Sequence, residues 1–181
     1  MLQKIRNGLM SKLVSKAKIF ARQAHESIDQ RRKYTNEPYI VHPAAVAKLV
    51  ATITDDEGMI CAAWLHDVLE DTNVTFHELV KEFGNDIAVL VLELTDISKA
   101  EDGNRKIRKQ KDFEHTRQAS TRAKTVKLAN LIDNSRSITE FDPRFAKVYM
   151  EEKTKLLSAL AEGNSELYSI ARKIVDDYHA T

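Results

Sequence analysis

The 181-residue chain is long enough for one domain with a full hydrophobic core, and no change in composition along it marks a second domain. Hydrophobic residues account for 43% and charged residues for 30%, which is typical of a folded globular protein and excludes a disordered or fibrous one. The formal net charge of +1 provides no overall field that would attract nucleic acid or an anionic membrane. We therefore predict a single domain over residues 1–181 that binds neither nucleic acid nor membrane.

The cysteine content and the apolar segments predict the compartment. Cys61 is the single cysteine, so no intrachain disulfide forms, which is typical of a reducing environment. Lysine and arginine are spread through residues 1–20, without the apolar block of a signal peptide. The longest apolar run, residues 87–94, is shorter than the roughly 20 residues that a bilayer-spanning helix needs. We expect a cytoplasmic protein.

The first part of the chain predicts two helices joined by a loop. Apolar residues recur every three or four positions over residues 11–30, which indicates an amphipathic helix. The polar run that follows, with Pro38, predicts a loop. Pro43 suits the first turn of the next helix and favours extended geometry at His42, so His42 should lie at the loop-to-helix junction.

Two capping boxes, each a Thr followed three residues later by Glu, begin at Thr54 and Thr75 and predict two helix starts. The first helix covers residues 58–70 and is apolar on nearly every side, as a central helix should be. The second covers residues 76–83 and stops near Gly84. Residues 86–97 fit a strand or a helix by periodicity, but their length and Leu/Ala/Glu content favour a helix.

The second half of the chain continues the helical pattern. Residues 98–122 are highly charged and predict a mobile loop leading into an exposed helix, whose basic residues are better explained by a solvated face than by phosphate binding. A helix over 123–138 follows, and then one with Asp142 as its cap, Pro143 in its first turn and Gly163 as its stop. A last helix over 165–180 completes an all-α domain.

The segment WLHDVLEDT places four ionisable residues within an apolar helix. Positions three and four apart share a helix face, which would align His66 with Glu70 and Asp67 with Asp71. An imidazole beside a carboxylate is suited to bind a divalent cation, although an isolated His–Asp pair is more often a hydrogen-bonded cap or a surface pair. His42 lies 24 residues upstream, and a later helix carries a polar stripe that would close a site: Lys127, Asn130, Asn134 and Ser137.

Three segments together, RRKYTNEPYIVHP, AAWLHDVLEDT and VKLANLIDNSRSI, resemble the hydrolase domain of the RelA/SpoT family, and most closely its small Mesh-type alarmone hydrolases. The resemblance covers about residues 17–160. It implies an all-α, single-domain helical bundle of the HD superfamily. It also implies a manganese-dependent enzyme that removes the 3′-pyrophosphate of guanosine tetra- or pentaphosphate.

The resemblance also assigns roles to individual residues. It makes His42, His66 and Asp67 ligands of Mn²⁺, and it gives Glu70 and Asp71 the handling of the attacking water and its proton. Such a metal lowers the pKa of bound water and neutralises phosphoryl charge. The resemblance further implies that a nucleotide substrate is bound by Arg32, Lys33 and Asn134, with Lys147 and Tyr149 as additional phosphate contacts.

One position departs from the family pattern. Where the family motif KLAD supplies an aspartate as fourth metal ligand, this chain has Asn130, whose amide oxygen can coordinate a cation but carries no charge. Weaker metal binding is therefore expected. Asn130 and the charged segment 98–122 leave open a catalytically silent alarmone-binding module. Because Arg32 can stack on any purine, a hydrolase of an adenosine alarmone or another phosphorylated nucleotide is a further alternative. The sequence gives no prediction of the oligomeric state.

Overall fold

Helices account for all of the regular secondary structure in residues 11–180, which are the part of the chain that the computed structural model describes. A 3₁₀ turn covers Ala100–Asp102, and an isolated bridge pairs Arg31 with Pro38. The prediction of an all-α fold is confirmed. The nine α-helices are α1 (Lys12–Glu26), α2 (Val41–Ile53), α3 (Glu57–Leu65), α4 (Val68–Asp71), α5 (Phe76–Leu94), α6 (Arg105–Gln118), α7 (Thr121–Phe141), α8 (Pro143–Ala159) and α9 (Ser165–Ala180).

Helix α3 occupies the centre of the core, as its apolar sequence predicts. It packs against α1, α2, α5 and α7. Its buried face includes Cys61, Ala62 and Ala63, whose small side chains are fully buried and allow neighbouring helices to approach closely. Because α3 is buried on nearly all sides, the residues that follow its C-terminus, His66 and Asp67, are held in a fixed position.

The predicted helix over residues 58–70 is interrupted, and the interruption creates the site. Helix α3 ends at Leu65, and α4 begins at Val68. Between them, Asp67 adopts φ −101° and ψ −4°, which departs from α-helical geometry. The Asp71 amide nevertheless donates a 2.9 Å hydrogen bond to the Asp67 carbonyl, so Asp67 and Asp71 lie one helical turn apart across the break, and both line the same cavity.

The caps of the neighbouring helices confirm one predicted capping box and correct the other. Thr75 and Glu78 form a complete box at the start of α5. At the start of α3 the cap is Asp56, which accepts a hydrogen bond from the Met59 amide, whereas Thr54 ends α2. The box predicted at Thr54 is wrong because Asp56, two residues later, caps the helix instead.

Other predicted boundaries shift by a few residues. Helix α1 ends at Glu26, four residues before the predicted end, because the chain turns through Asp29 with φ 47°. Gly84, with φ 81°, divides α5 into two helical segments, which confirms the predicted helix end near Gly84. His42 lies inside the first turn of α2, so its predicted extended geometry is wrong.

Within the charged segment 98–122, α6 is mostly exposed, but one of its acids is buried. The Asp112 carboxylate accepts hydrogen bonds from the backbone amide and the hydroxyl of Ser98 and so fastens the preceding loop. Further on, Asp142 caps α8 with Pro143 in its first turn, as predicted, although α8 ends at Ala159 and not at Gly163. None of the helices in residues 11–180 combines the length and apolar character that crossing a membrane requires.

Candidate metal centre and adjoining cavity

Three predicted ligands meet at the break between α3 and α4. His42 comes from the first turn of α2, His66 is the residue that ends α3, and Asp67 precedes α4. The Nε2 atoms of the two histidines lie 3.2 Å apart. The Asp67 Oδ2 atom lies 3.0 Å from His66 Nε2 and 3.7 Å from His42 Nε2. The structure thus brings together residues that are 24 positions apart in the chain.

Hydrogen bonds on the far side of both rings set their tautomers. His42 Nδ1 lies 2.6 Å from an Asp133 carboxylate oxygen, and His66 Nδ1 lies 2.8 Å from the Ala63 carbonyl oxygen. Each of those oxygens only accepts, so both Nδ1 atoms carry the proton. In the neutral rings, both Nε2 atoms then direct a lone pair toward the other ring and toward Asp67. This arrangement of a bonded Nδ1 and a free Nε2 is typical of metal-binding histidines.

The electrostatics of the cluster favour a positive charge at its centre. Both imidazoles are 1% exposed. Burial lowers the pKa of His42 despite its bond to Asp133. Burial would also lower the pKa of His66, but the adjacent Asp67 carboxylate outweighs it, and the pKa is raised. The same contact outweighs burial at Asp67 and holds its pKa below the usual range. The three groups offer ligand atoms within 4.8 Å of one another, which fits a divalent metal ion.

Tyr39 supports the cluster, a role that the sequence analysis did not predict. Its hydroxyl donates a 2.7 Å hydrogen bond to Asp67 Oδ2, and its ring lies edge-on to the His42 ring. Burial and the Asp67 charge raise the pKa of Tyr39 well above its usual value, so the hydroxyl remains a donor. Tyr39 therefore fixes the orientation of the carboxylate.

Glu70 faces a cavity next to the cluster. One oxygen of its carboxylate accepts a 3.0 Å hydrogen bond from the Asp96 backbone amide. Partial removal from water, followed by the negative charge of Asp96, raises the pKa of Glu70 to about 7. A carboxylate with such a pKa can take up and release a proton near neutral pH.

Asp71 faces the same cavity and has a different environment. Its carboxylate accepts a 2.8 Å hydrogen bond from the Gln30 side-chain amide. Burial raises the pKa of Asp71, and the bond from Gln30 opposes the rise without cancelling it. Glu70 and Asp71 are therefore distinct in their partners, although they are adjacent in sequence.

The cavity has a volume of about 820 Å³ and is enclosed mainly by α4, α6, α7 and α8. Asp67, Glu70 and Asp71 contribute to one part of its wall. The remainder of the wall is charged with both signs. Six basic side chains contribute to it, namely Arg105, Lys106, Lys109, Lys127, Lys153 and Lys155, together with four acidic ones, Asp96, Asp112, Glu151 and Glu152.

Apart from Lys127, which the predicted polar stripe includes, the basic residues of this wall were missed by the sequence analysis. The interpretation of residues 98–122 as a solvated face does not account for Arg105, Lys106 and Lys109, which line the cavity. Lys127 donates hydrogen bonds to the Leu94 carbonyl and to the Asp96 carboxylate. Burial lowers the pKa of Lys153 to about 8. No sequence signal links these lysines, because α6, α7 and α8 bring them together only in the folded chain.

Two of the predicted substrate residues lie at this site. A guanidinium nitrogen of Arg32 donates a 3.3 Å hydrogen bond to Asn134 Oδ1, and Asn134 lines the large cavity. Arg32 also lines a smaller pocket of about 220 Å³, together with His42 and Asp133. The His42–His66–Asp67 cluster thus lies between the two spaces, since Asp67 lines the large cavity and His42 lines the smaller pocket.

The other three predicted substrate residues line neither space. Lys33 is exposed, and its ammonium group lies 3.5 Å from the Asp142 carboxylate. Lys147 is exposed on α8. Tyr149 is buried, with its ring against Phe145.

Asn130 lines the large cavity from α7, but its amide oxygen already has a partner. The Asn134 side-chain amide donates a 2.7 Å hydrogen bond to Asn130 Oδ1. Arginine can only donate, so the bond from Arg32 fixes which end of the Asn134 amide faces Asn130. The direction of bonding therefore runs from Arg32 through Asn134 to Asn130.

The helical fold and the His–Asp cluster are those of an HD-domain protein, since the family model described as HD domain matches residues 17–164. The MESH1 protein of Drosophila melanogaster, named a guanosine-3′,5′-bis(diphosphate) 3′-pyrophosphohydrolase, is 35% identical over 84% of this chain and 78% of its own length. The MESH1 of Xenopus tropicalis is 39% identical over 72% of each chain. The chain therefore belongs to the HD-domain family, in the group that includes the MESH1 proteins, and the resemblance noted in its three motifs is confirmed.

Longer proteins and solved structures agree with this placement. A probable pyrophosphohydrolase of the same type from Synechocystis is 33% identical over 82% of this chain, which spans only 20% of that relative. A structure of a metazoan SpoT ortholog, described as hydrolysing ppGpp, superposes with a TM-score of 0.83 and 30% identity over 94% of this chain and 97% of its own. A Listeria monocytogenes protein shares the fold, with a TM-score of 0.64 and 23% identity over 78% of this chain and 98% of its own.

Proposed function

We propose that this protein hydrolyses the 3′-pyrophosphate of guanosine tetra- and pentaphosphate, giving GDP or GTP and pyrophosphate, with Mn²⁺ as its metal ion. One observation carries the proposal: the His42–His66–Asp67 cluster borders a cavity whose wall includes Glu70 and Asp71 on the side of the cluster and six basic side chains elsewhere. Glu70 and Asp71 suit proton transfer to and from water, and the six basic side chains suit a substrate that carries several phosphates. The relatives named above are called hydrolases, which favours turnover over silent binding.

His42, His66 and Asp67 would hold the metal ion, which when bound lowers the pKa of water and offsets charge on the phosphoryl oxygens. Mixed histidine and carboxylate ligands with open positions suit Mn²⁺ better than a closed structural zinc site. Asn130 would take part only weakly, because its amide oxygen is neutral and already accepts from Asn134.

Glu70 is the proposed general base. Its pKa of about 7 leaves a substantial fraction ionised at neutral pH, and that fraction can accept the proton of the attacking water. Asp71 is proposed to orient the same water. The ammonium groups of Lys127 and Lys153 face the cavity and would neutralise charge on the pyrophosphate as it leaves.

Arg32 and Asn134 are proposed to bind the nucleoside side of the substrate, since the planar guanidinium can stack on a purine or grip a phosphate. Lys33, Lys147 and Tyr149 stay predictions of the resemblance, without a contact to the cavity that supports them. The buried Cys61 thiol agrees with a reducing compartment, and we propose a cytoplasmic location.

The test is product analysis with purified protein. We expect pyrophosphate and GDP from ppGpp in the presence of Mn²⁺, and neither product after chelation. His66→Ala and Glu70→Gln should both lose turnover, but only His66→Ala should lose metal binding. A surface substitution such as His77→Ala serves as the control.

Two other results would redirect the proposal. Tight ppGpp binding without hydrolysis at saturating Mn²⁺ would indicate a silent alarmone-binding module. Faster hydrolysis of ppApp than of ppGpp would indicate an adenosine alarmone as the substrate, which stacking on Arg32 does not discriminate against. Release of orthophosphate in place of pyrophosphate would contradict the assignment of the scissile bond.

A further inference from the structure

Behind Asp71, away from the cavity, lies a polar contact that the proposed reaction does not use directly. Gln30 follows the C-terminus of α1, and its backbone is bonded on both sides. Its amide nitrogen donates to the His25 carbonyl at 3.1 Å, and its carbonyl accepts from the Tyr39 amide at 3.2 Å. The side chain of Gln30 is therefore attached to a fixed point of the backbone.

The side chain of Gln30 bridges a histidine and the cavity acid. Its nitrogen donates to Asp71 Oδ2 at 2.8 Å, and its oxygen lies 2.6 Å from His25 Nδ1. Since the amide oxygen can only accept, His25 Nδ1 must carry the proton. Donation thus runs in one direction, from His25 to Gln30 and from Gln30 to Asp71. If the bond from His25 were lost, the Gln30 amide would be held at its nitrogen alone and could rotate about that contact.

His25 is poorly suited to a purely structural role. The ring is 1% exposed, and its Nε2 atom is buried with no hydrogen-bond partner. An unpaired buried nitrogen destabilises a fold, so an apolar side chain of similar size would pack better at this position. The ring's polar contact is the one with Gln30. Its centroid lies 4.7 Å from that of the Tyr39 ring, at an interplanar angle of 45°, and the Tyr39 hydroxyl holds Asp67.

We propose that His25 and Gln30 are positioning residues that hold the Asp71 carboxylate in the orientation needed for the reaction. His25 fixes the direction of the Gln30 amide, and Gln30 fixes the rotation of the carboxylate. This inference rests on the proposed function, because it assigns Asp71 a part in the same reaction. Neither His25 nor Gln30 lines the cavity, so neither would contact a substrate bound there.

The first test replaces Gln30 with methionine, which keeps the length of the side chain and removes both of its hydrogen bonds. With ppGpp and Mn²⁺, we expect kcat to fall by about ten- to a hundredfold, because small misplacements of a reacting group have effects of this size. KM and Mn²⁺ affinity should stay unchanged. Gln23→Met, on the exposed side of α1, is the matched control and should behave as the unaltered protein does.

A double-mutant cycle separates positioning from general structural damage. If Gln30 acts through Asp71, then Gln30→Met should have no further effect on the residual kcat of Asp71→Asn. Independent losses in the double variant would contradict the inference, because they would show that Gln30 acts by another route.

The second test uses two substitutions of nearly equal size at His25. Leucine removes the donor, whereas the side-chain nitrogen of asparagine can replace Nδ1. We expect His25→Leu to lower kcat without lowering the melting temperature, and His25→Asn to restore most of the lost activity. Equal loss in both variants would overturn the role assigned to the hydrogen bond.

The outcomes also distinguish this inference from the proposed function. If Asp71→Asn sharply lowers kcat while Gln30→Met and His25→Leu retain full kcat, the positioning role is wrong and the enzyme assignment stands. If the unaltered protein releases no pyrophosphate from ppGpp with any metal, the proposed function itself fails.

Discussion

Asp133 offers a direct test of the metal centre, because it acts on a ligand from outside the cluster. Its carboxylate accepts the 2.6 Å hydrogen bond from His42 Nδ1 and so keeps Nε2 free for a metal ion. Asp133→Leu removes the acceptor while keeping a similar shape. The His42 ring would then be buried with an unpaired Nδ1, or would move its proton to Nε2 and lose the lone pair that binds the metal.

The size of the effect follows from the geometry. A hydrogen bond to a charged group contributes about 1.5–3 kcal/mol. The Asp133 side chain is 24% exposed, so solvent screening favours the lower half of that range. Since 1.4 kcal/mol corresponds to a factor of ten, we expect Mn²⁺ affinity to fall by roughly ten- to thirtyfold, within the range known for residues that orient metal-binding histidines. Asp133→Asn keeps an oxygen acceptor and should lose less.

The assay is calorimetric titration of chelator-treated protein with Mn²⁺ at constant pH, and Asp177→Leu serves as the control. Asp177 carries the same charge on α9, where it pairs with Lys173 at the surface. Unchanged Mn²⁺ affinity in Asp133→Leu would refute the reasoning, because it would show that His42 does not bind the metal through Nε2.

Three further predictions concern charge. Asn130→Asp adds a negative charge to the cavity wall and should raise Mn²⁺ affinity several-fold in the same titration; weaker binding would contradict a position near the metal. Glu70 must be ionised to accept a proton, so its pKa of about 7 predicts that kcat/KM rises with pH up to about that value, and Glu70→Gln should remove the rise without altering Mn²⁺ binding. Arg122 donates to the carboxylates of Asp56 and Asp86. Arg122→Met should therefore lower the free energy of unfolding, measured by urea denaturation, by about 1 kcal/mol. No change would show that these partly exposed ion pairs contribute nothing to stability.

Local sequence patterns were sufficient to predict most helices, because propensity, periodicity and capping act over a few neighbouring residues. The capping box at Thr75 and the Asp142–Pro143 start of α8 were predicted from side chains that bond within their own turn. The predicted box at Thr54 failed because Asp56 competes for the same role. Local signals thus define helix positions to within a few residues, but not which of two candidate caps is used.

The sequence predicted the metal-ligand residues of the site but not the residues that support them. The sequence and its resemblance pointed to His42, His66 and Asp67, and the structure brings their ligand atoms together. The sequence did not point to Tyr39 or Gln30, because neither has a spacing or a residue type that indicates a role in a site. Their importance comes from partners that lie 28 and 41 residues away in the chain.

By itself, the sequence determined an all-α chain and the three segments that carry its chemistry. Only the tertiary structure decided that the central helix is interrupted between Leu65 and Val68, since the apolar pattern of residues 58–70 is continuous, and there the Asp67 side chain accepts a hydrogen bond from Tyr39, which lies in a distant segment. The bond between His42 and Asp133 spans 91 residues. Contacts of this kind depend on how whole helices pack, which local preferences do not specify.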